Sequence, residues 1–282
     1  MTKPLRASDY RTEDVELVVS AALHVATVLG DLMGELTIIG GLVPTLLFLG
    51  RDDQAPEEDS HCGTNDLDVA LAVALLDDSR YREISDRLRG AGFEHDKNDA
   101  GNPTPQRWTL PGVKVTIDFL IDPVATGDEG GTIRHLEADF GAVVAPGVEL
   151  AFVDREVVAL DGTTLVGDRA SRDVFVAGPA AFTVLKAHAF HLRGERKDAY
   201  DLYYVLRRWV PGLTDVVERL GGLRERDALV VERALEYLEA DFETIDHLGP
   251  RAVSRFVTGG LDDDVQADVF GLVADFMALA AA

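Results

Sequence analysis

Two aspartates one residue apart, Asp66 and Asp68, begin an apolar run that reads DLDVALAVAL. Side chains alternate across a strand, so this spacing sets both carboxylates on one face, where they can share hard cations. Upstream, LTIIGGLVPTLLFLG passes from a β-rich run through Gly40-Gly41 into a helix-like run with Pro44 in its first turn, where a missing N–H costs least. Adjacent glycines let the backbone approach a ligand closely, and the free N–H groups of a helix start favour an anion such as phosphate. Each half alone has an ordinary explanation, a turn in one case and an acidic stretch in an acidic protein in the other. Their order, strand, Gly-Gly, helix, loop and Asp-x-Asp, points to metal-assisted chemistry on a nucleotide.

A third carboxylate is Asp118. It lies between Ile117 and Phe119 in an alternating run, where an aspartate is costly to bury unless it is paired or bound to a cation. Asp122, just before Pro123, reads as a turn residue. A second constellation is KAHAFHLRGERKDAYDLYYVL. Lys186 sits in an Ala/Phe/Leu helix, so it must find a buried partner, snorkel or face a ligand. Asp198 and Asp201 are i, i+3 neighbours on the next helix. His188 and His191 have the same spacing, which is more often a core or surface pair than a metal pair.

The elements that must position these residues can be read from periodicity. A first helix carries Val15, Val18, Val19, Ala22, Leu23, Ala26 and Leu29 at helical spacing. Arg51 to Asn65 is an acidic loop, a lid or a spacer. A strand follows over Asp66 to Leu76, then a short helix over Asp77 to Gly90. Gln106 to Leu110 and Val113 to Ile121 form a hairpin around Pro111-Gly112. Residues 127–178 suggest a small β-rich extension. From Pro179 the pattern is helical, over Ala180 to Leu192, Lys197 to Trp209, Asp215 to Leu220, Glu225 to Phe242 and Asp262 to Ala280. The expected domains are an α/β domain over 1–178 and a helical domain over 179–282.

With 282 residues and 46% hydrophobic composition the chain can build one large or two modest cores. Its net charge of −23, from 50 acidic and 27 basic residues, repels nucleic acid as a whole. Any polyanion must therefore be gripped by a local basic patch. The single cysteine, Cys62, excludes an intrachain disulfide, and His61-Cys62 lacks the further ligands of a zinc site. The polar start, Met1 to Asp14, is not an ordinary signal peptide, and the apolar run Leu36 to Leu49 is too short and broken to span a bilayer. A soluble, cytoplasmic protein with no membrane partner is expected.

Taken in order, Gly40-Gly41, Thr64-Asn65-Asp66-Leu67-Asp68, Asp118, Lys186 and Lys197-Asp198-Ala199-Tyr200-Asp201-Leu202 resemble the AbiEii/MenA-like nucleotidyltransferase toxins of type IV toxin–antitoxin systems. The resemblance covers roughly residues 36–207. It departs at Cys62, where many relatives carry a basic residue. It implies an α+β fold, a polymerase-β-like nucleotidyltransferase core whose mixed sheet is flanked by helices, with a C-terminal helical domain. It further implies transfer of a nucleoside monophosphate from a nucleoside triphosphate (NTP) to a hydroxyl, such as the 3′ end of tRNA, and a cognate antitoxin protein as partner. In-line attack of this kind uses two Mg²⁺ ions about 3.5–4 Å apart. On this reading Asp66 and Asp68 bridge the metals and Asp118 holds the one on the nucleophile side. Gly40, Gly41 and Thr64 hold phosphate, Lys186 neutralises the triphosphate, and Asp201 orients Lys186 or a substrate hydroxyl.

Two rivals share these residues. A small-molecule nucleotidyltransferase of the aminoglycoside-modifying type has the same glycines and carboxylates, and the acidic surface suits a small cationic acceptor. A catalytically inactive, partner-binding protein of the same fold is the other, and the presence of all three carboxylates argues against it. If the acceptor is RNA, its contacts must come from two basic clusters, Arg80, Arg82, Arg87 and Arg89, or Arg193, Arg196, Lys197, Arg207 and Arg208.

Overall fold

The run LTII forms strand β1 (Leu36–Ile39), buried at every position. The computed structural model describes residues 4–49, 60–72, 78–98, 100–123 and 128–282. The chain is α+β and forms two units, one of Thr12–Leu47 with Gly63–Ala177, the other of Met1–Arg11, Phe48–Cys62 and Gly178–Ala282.

The first unit contains helix α1 (Thr12–Leu29), β1, the five-residue α2 (Val43–Leu47), β2 (Asp66–Leu71), α3 (Asp78–Gly90), β3 (Glu94–Lys97), β4 (Pro103–Thr109) and β5 (Thr116–Ile121). After them come β6 (Ile133–Glu137), β7 (Phe140–Val144), the short α4 (Leu150–Val153), β8 (Arg155–Thr163) and β9 (Arg169–Ala177). Among the described residues these strands make one mixed sheet in the order β3-β4-β5-β2-β1-β9-β8, with β7 pairing β5 and β6. Its core is apolar and partly aromatic, with Trp108, Phe119 and Phe140 fully buried.

The β-rich extension expected over 127–178 is β-rich, and its strands belong to the main sheet. Strand β9 lies parallel to β1 and β7 parallel to β5, so the segment completes the main sheet. Turn-rich spacing concealed the β9–β1 pairing, because contact with a strand more than a hundred residues upstream leaves no local trace. The strand expected to run to Leu76 ends at Leu71, and residues 73–77 lie outside the described residues. So does most of the loop expected over Arg51 to Asn65.

Helix α1 is apolar and long enough, as part of Thr12–Glu35, to cross a membrane by length and composition. More than half of that window is buried inside the fold, as in a core helix, with Val18, Ala22, Val25 and Leu29 all nearly inaccessible.

The second unit is built on α5 (Pro179–Arg193), α6 (Arg196–Arg208), α7 (Leu213–Asp241), α8 (Leu248–Thr258) and α9 (Asp263–Ala280). Their ends follow the sequence: Pro179 opens α5, Gly194 closes it in the left-handed region at φ 65°, and the Asp262 carboxylate caps α9 by accepting from the N–H groups of Asp264 and Val265. The two helices expected over 215–220 and 225–242 are present within Leu213–Asp241, and the break between them falls at Asp227 (φ −150°, ψ 86°) rather than at Gly221-Gly222. There the Asp227 carboxylate accepts from Val230 N–H and so caps the second half. Helix α8 is an addition to the sequence reading. Gly249 is needed there because a Cβ would sit 2.3 Å from the Phe242 ring.

Candidate active site

Strand β2 alternates as the spacing requires, with Leu67 and Val69 buried and Asp66 and Asp68 half-buried on the other face. Its neighbours fix what faces these carboxylates. In the parallel pairing with β5, Asp66 is opposite Thr116 and Asp68 opposite Asp118; in the antiparallel pairing with β1, Asp68 is opposite Ile39. The three aspartates therefore share one face of two adjacent strands. Thr116 Oγ1 donates to Asp66 Oδ1 at 2.7 Å.

The Gly-Gly turn follows directly from β1. Gly40 has φ 72°, a conformation side chains disfavour, and a Cβ there would stand 2.0 Å from Asp68 Oδ2. The glycine thus makes room for the Asp68 carboxylate as well as for the turn. Gly41 is buried in the tight 3₁₀ turn Gly40–Leu42. Thr64, also buried, accepts a long bond from Asp66 N–H at 3.4 Å and so braces the start of β2.

Asp118 is 9% exposed and clasped by Arg107, whose Nε and Nη2 donate to its two oxygens at 2.7 Å each. That bidentate bond and the carboxylate charge raise the guanidinium's pKa further. Arg107 escaped the sequence reading because of register. A tight turn at Pro111-Gly112 pairs Leu110 with Val113 and Arg107 with Thr116. Instead the loop is longer, Thr109 pairs with Thr116, and Arg107 comes opposite Asp118.

Asp66 and Asp68 supply the hard oxygen donors that Mg²⁺ takes, one or two carboxylates with water and phosphate completing its shell. Asp118 joins such a set only by exchanging Arg107. As it stands, no group of three or more His, Cys, Asp or Glu side chains among the described residues is gathered closely enough to hold a metal ion.

The second unit holds the other expected site residues in a closed network. Lys186 is 5% exposed, and its Nζ donates to Asp198 Oδ1 at 2.8 Å and Asp201 Oδ2 at 2.7 Å. Asp201, fully buried, also receives Lys197 Nζ at 2.7 and 2.9 Å and lies 2.8 Å from His61 Nε2. Arg193 forks onto Asp198 at 2.6 and 2.8 Å. Burial alone would lift the Asp201 pKa, yet Lys186 and Lys197 hold it far below the carboxylate range; burial would likewise lower Lys186, yet Asp198 and Asp201 hold it above its usual value. His61, stacked on Tyr200 at 5.3 Å, is the opposite case, since burial outweighs Asp201 and pushes its pKa down to about 4. Burial also raises the Cys62 thiol to about 12, which leaves it an inert thiol.

The helical histidines do not converge on a shared ligand position. His188 Nε2 is 3.0 Å from Val230 O, and His191 Nδ1 is 3.0 Å from Asp241 Oδ2. The arginines of α3 are engaged: Arg80 with Glu83, Arg82 with Glu137, Arg87 with Asp31 and Glu83, and Arg89 with Asp139. Asp122 accepts from Glu149 N–H, the turn role its place before Pro123 suggests.

A mixed sheet that presents an Asp-x-Asp pair against a glycine turn, with a following helical unit, defines an α+β protein of nucleotidyltransferase type. Residues 61–280 match the family model described as the nucleotidyl transferase AbiEii toxin of type IV toxin–antitoxin systems, and the chain belongs to that family. The match begins after the Gly-Gly turn, so it rests on the Asp-x-Asp strand and everything C-terminal to it. No curated protein matches the chain.

Proposed function

We propose that this nucleotidyltransferase moves a nucleoside monophosphate from an NTP to the hydroxyl at the 3′ end of an RNA, tRNA being the expected acceptor. It acts in the cytoplasm as the toxin whose partner is a cognate antitoxin protein. The observation that carries the reading is the face formed by β2 and β5, where Asp66 and Asp68 stand half-buried beside Asp118 with Gly40 against Asp68. Divalent cations on Asp66 and Asp68, two Mg²⁺ in the full reading, supply charge neutralisation at the phosphates and at the attacking oxygen when bound. Thr116 orients Asp66 through its hydroxyl, and Gly40 keeps Asp68 upright on the same face. Arg107 balances Asp118 until that carboxylate is recruited. Gly41 and Thr64 offer the turn and hydroxyl against which phosphate rests. Lys186 and Asp201 are the pair that neutralises triphosphate charge and orients a substrate group, and their burial makes stability the control for any loss of activity.

The test is incubation of the full chain with each labelled NTP, Mg²⁺ and total RNA. Label in RNA is expected, and EDTA should abolish it. If RNA stays unlabelled while a small aminated acceptor is modified, the small-molecule rival replaces this reading. Absence of transfer to either acceptor, with nucleotide left unconsumed, favours the inactive partner-binding alternative.

A further inference from the structure

In the helical unit, a cavity of about 500 Å³ is lined by Arg196, Arg251 and Arg255, together with His191, Asp241 and Asp246. That volume is within the range of small-ligand sites. Its charges are unevenly matched. Asp241 is bonded to His191, whose ring stacks on Tyr237 with centroids 3.8 Å apart, and Asp246 accepts from Gln266 Nε2 at 3.3 Å. Among the described residues, the three arginines have no carboxylate partner, whereas those of α3 all do. Arg251 and Arg255 are i, i+4 on α8, both half-buried, so two like charges share one helix face. Arg251 also lies in the first half of the helix, where a cation is disfavoured. In a chain with 50 acidic and 27 basic residues partners are plentiful, yet among the described residues these three side chains have no carboxylate partner.

We infer that this cavity binds phosphate groups of an RNA backbone, with Arg196, Arg251 and Arg255 as the contacts. Guanidinium forks match phosphate oxygens, and a bound phosphodiester turns the repulsion between Arg251 and Arg255 into a shared contact. The inference rests on the reading that the acceptor is RNA, and it revises where the grip lies. Arg193, expected among the RNA contacts, is committed to Asp198, whereas Arg196 opens onto the cavity.

The experiment measures binding of bulk deacylated tRNA, and separately of ATP, to the full chain without catalysis, over about 50 to 200 mM salt. The Arg251→Gln/Arg255→Gln variant is compared with a charge-matched control, Arg224→Gln/Arg233→Gln, whose arginines pair with Glu232 and Glu236. tRNA affinity should fall about tenfold or more, with a salt slope shallower by about two units, while the control falls much less. ATP affinity should hold, and the melting temperature should stay level or rise, because a like-charge pair has been removed. Equal tRNA affinity in the two variants overturns the inference while leaving the acceptor reading intact. A loss confined to ATP, or a lowered melting temperature, also overturns it, the first by making the cavity a nucleotide site and the second by making the arginines structural. If the parent protein binds no tRNA, both the inference and the RNA acceptor fall.

Discussion

The Asp-x-Asp pair of the sheet and the aspartates of the helical unit are held in opposite ways. On the sheet, Asp66 and Asp68 are half-buried, and Asp66 is oriented by a neutral hydroxyl. Among the helices, Asp198 and Asp201 are buried and surrounded by Lys186, Lys197, Arg193 and His61. A buried carboxylate without compensation is prohibitively costly, so the helical network must be complete to exist. A half-buried pair keeps contact with water and can exchange its ligands. Charges whose partners are fixed hold a structure, and charges left open to exchange can serve a reaction.

The largest expected effect breaks the closed network. Lys186→Ala leaves Asp198 and Asp201 buried with part of their compensation gone, a loss of about 3–5 kcal/mol in other proteins. Denaturant unfolding should register it, while Lys97→Ala, at the exposed end of β3, should stay within about 0.5 kcal/mol of the parent. If Lys186→Ala unfolds like the parent yet transfers no nucleotide, Lys186 serves the triphosphate without holding the network, and the contrast between the units narrows.

On the sheet the order of effects reverses. Asp68→Ala should reduce transfer by at least about 10²–10³-fold, the scale of losing one group aimed at developing charge, with no fall in unfolding midpoint. Gly40→Ala reaches the same carboxylate from the other side. Its Cβ would meet Asp68 Oδ2 at 2.0 Å on a backbone at φ 72°, so it should lose activity and about 1–3 kcal/mol together. Transfer by Asp68→Ala comparable to that of the parent sinks the assignment of this face as the site.

The sheet face was legible because its information is local. Alternation in DLDVAL put two carboxylates together, and an aspartate between Ile117 and Phe119 announced a buried charge needing a partner. The partner, Arg107, was hidden by two residues of hairpin register, which no propensity encodes. Strand β9 beside β1 and helix α8 were missed for related reasons. One is a contact across more than a hundred residues, and the other is a short helix whose first turn contains Gly249-Pro250, a sequence that reads as a break. In the helical unit the spacing of Lys186, Asp198 and Asp201 flagged a constellation. Burial, visible only in the fold, turned an open site pattern into a closed network.

The most gradual effect sharpens the comparison through pH. His61 faces Asp201, Lys186, Lys197, Tyr200 and Tyr204, and burial, ahead of the opposing pull of Asp201, lowers its pKa from 6.5 to about 4. Between those values the unfolded chain binds a proton that the folded chain refuses, so stability falls as pH drops from 6.5 towards 4 and levels off below. The full span amounts to about 3 kcal/mol. Asp201 contributes in a separate window: its depressed pKa gives stability that is lost only as pH falls below the usual carboxylate range. His24 and His188 are also lowered by burial, but they titrate alike in parent and variant and cancel on subtraction. Unfolding of the parent and of His61→Gln should therefore diverge in slope between pH 6.5 and 4, the variant being flatter. Parallel curves through that window would mean that His61 takes up a proton in the fold, and that the network around Asp201 is as open to exchange as the carboxylate face of the sheet.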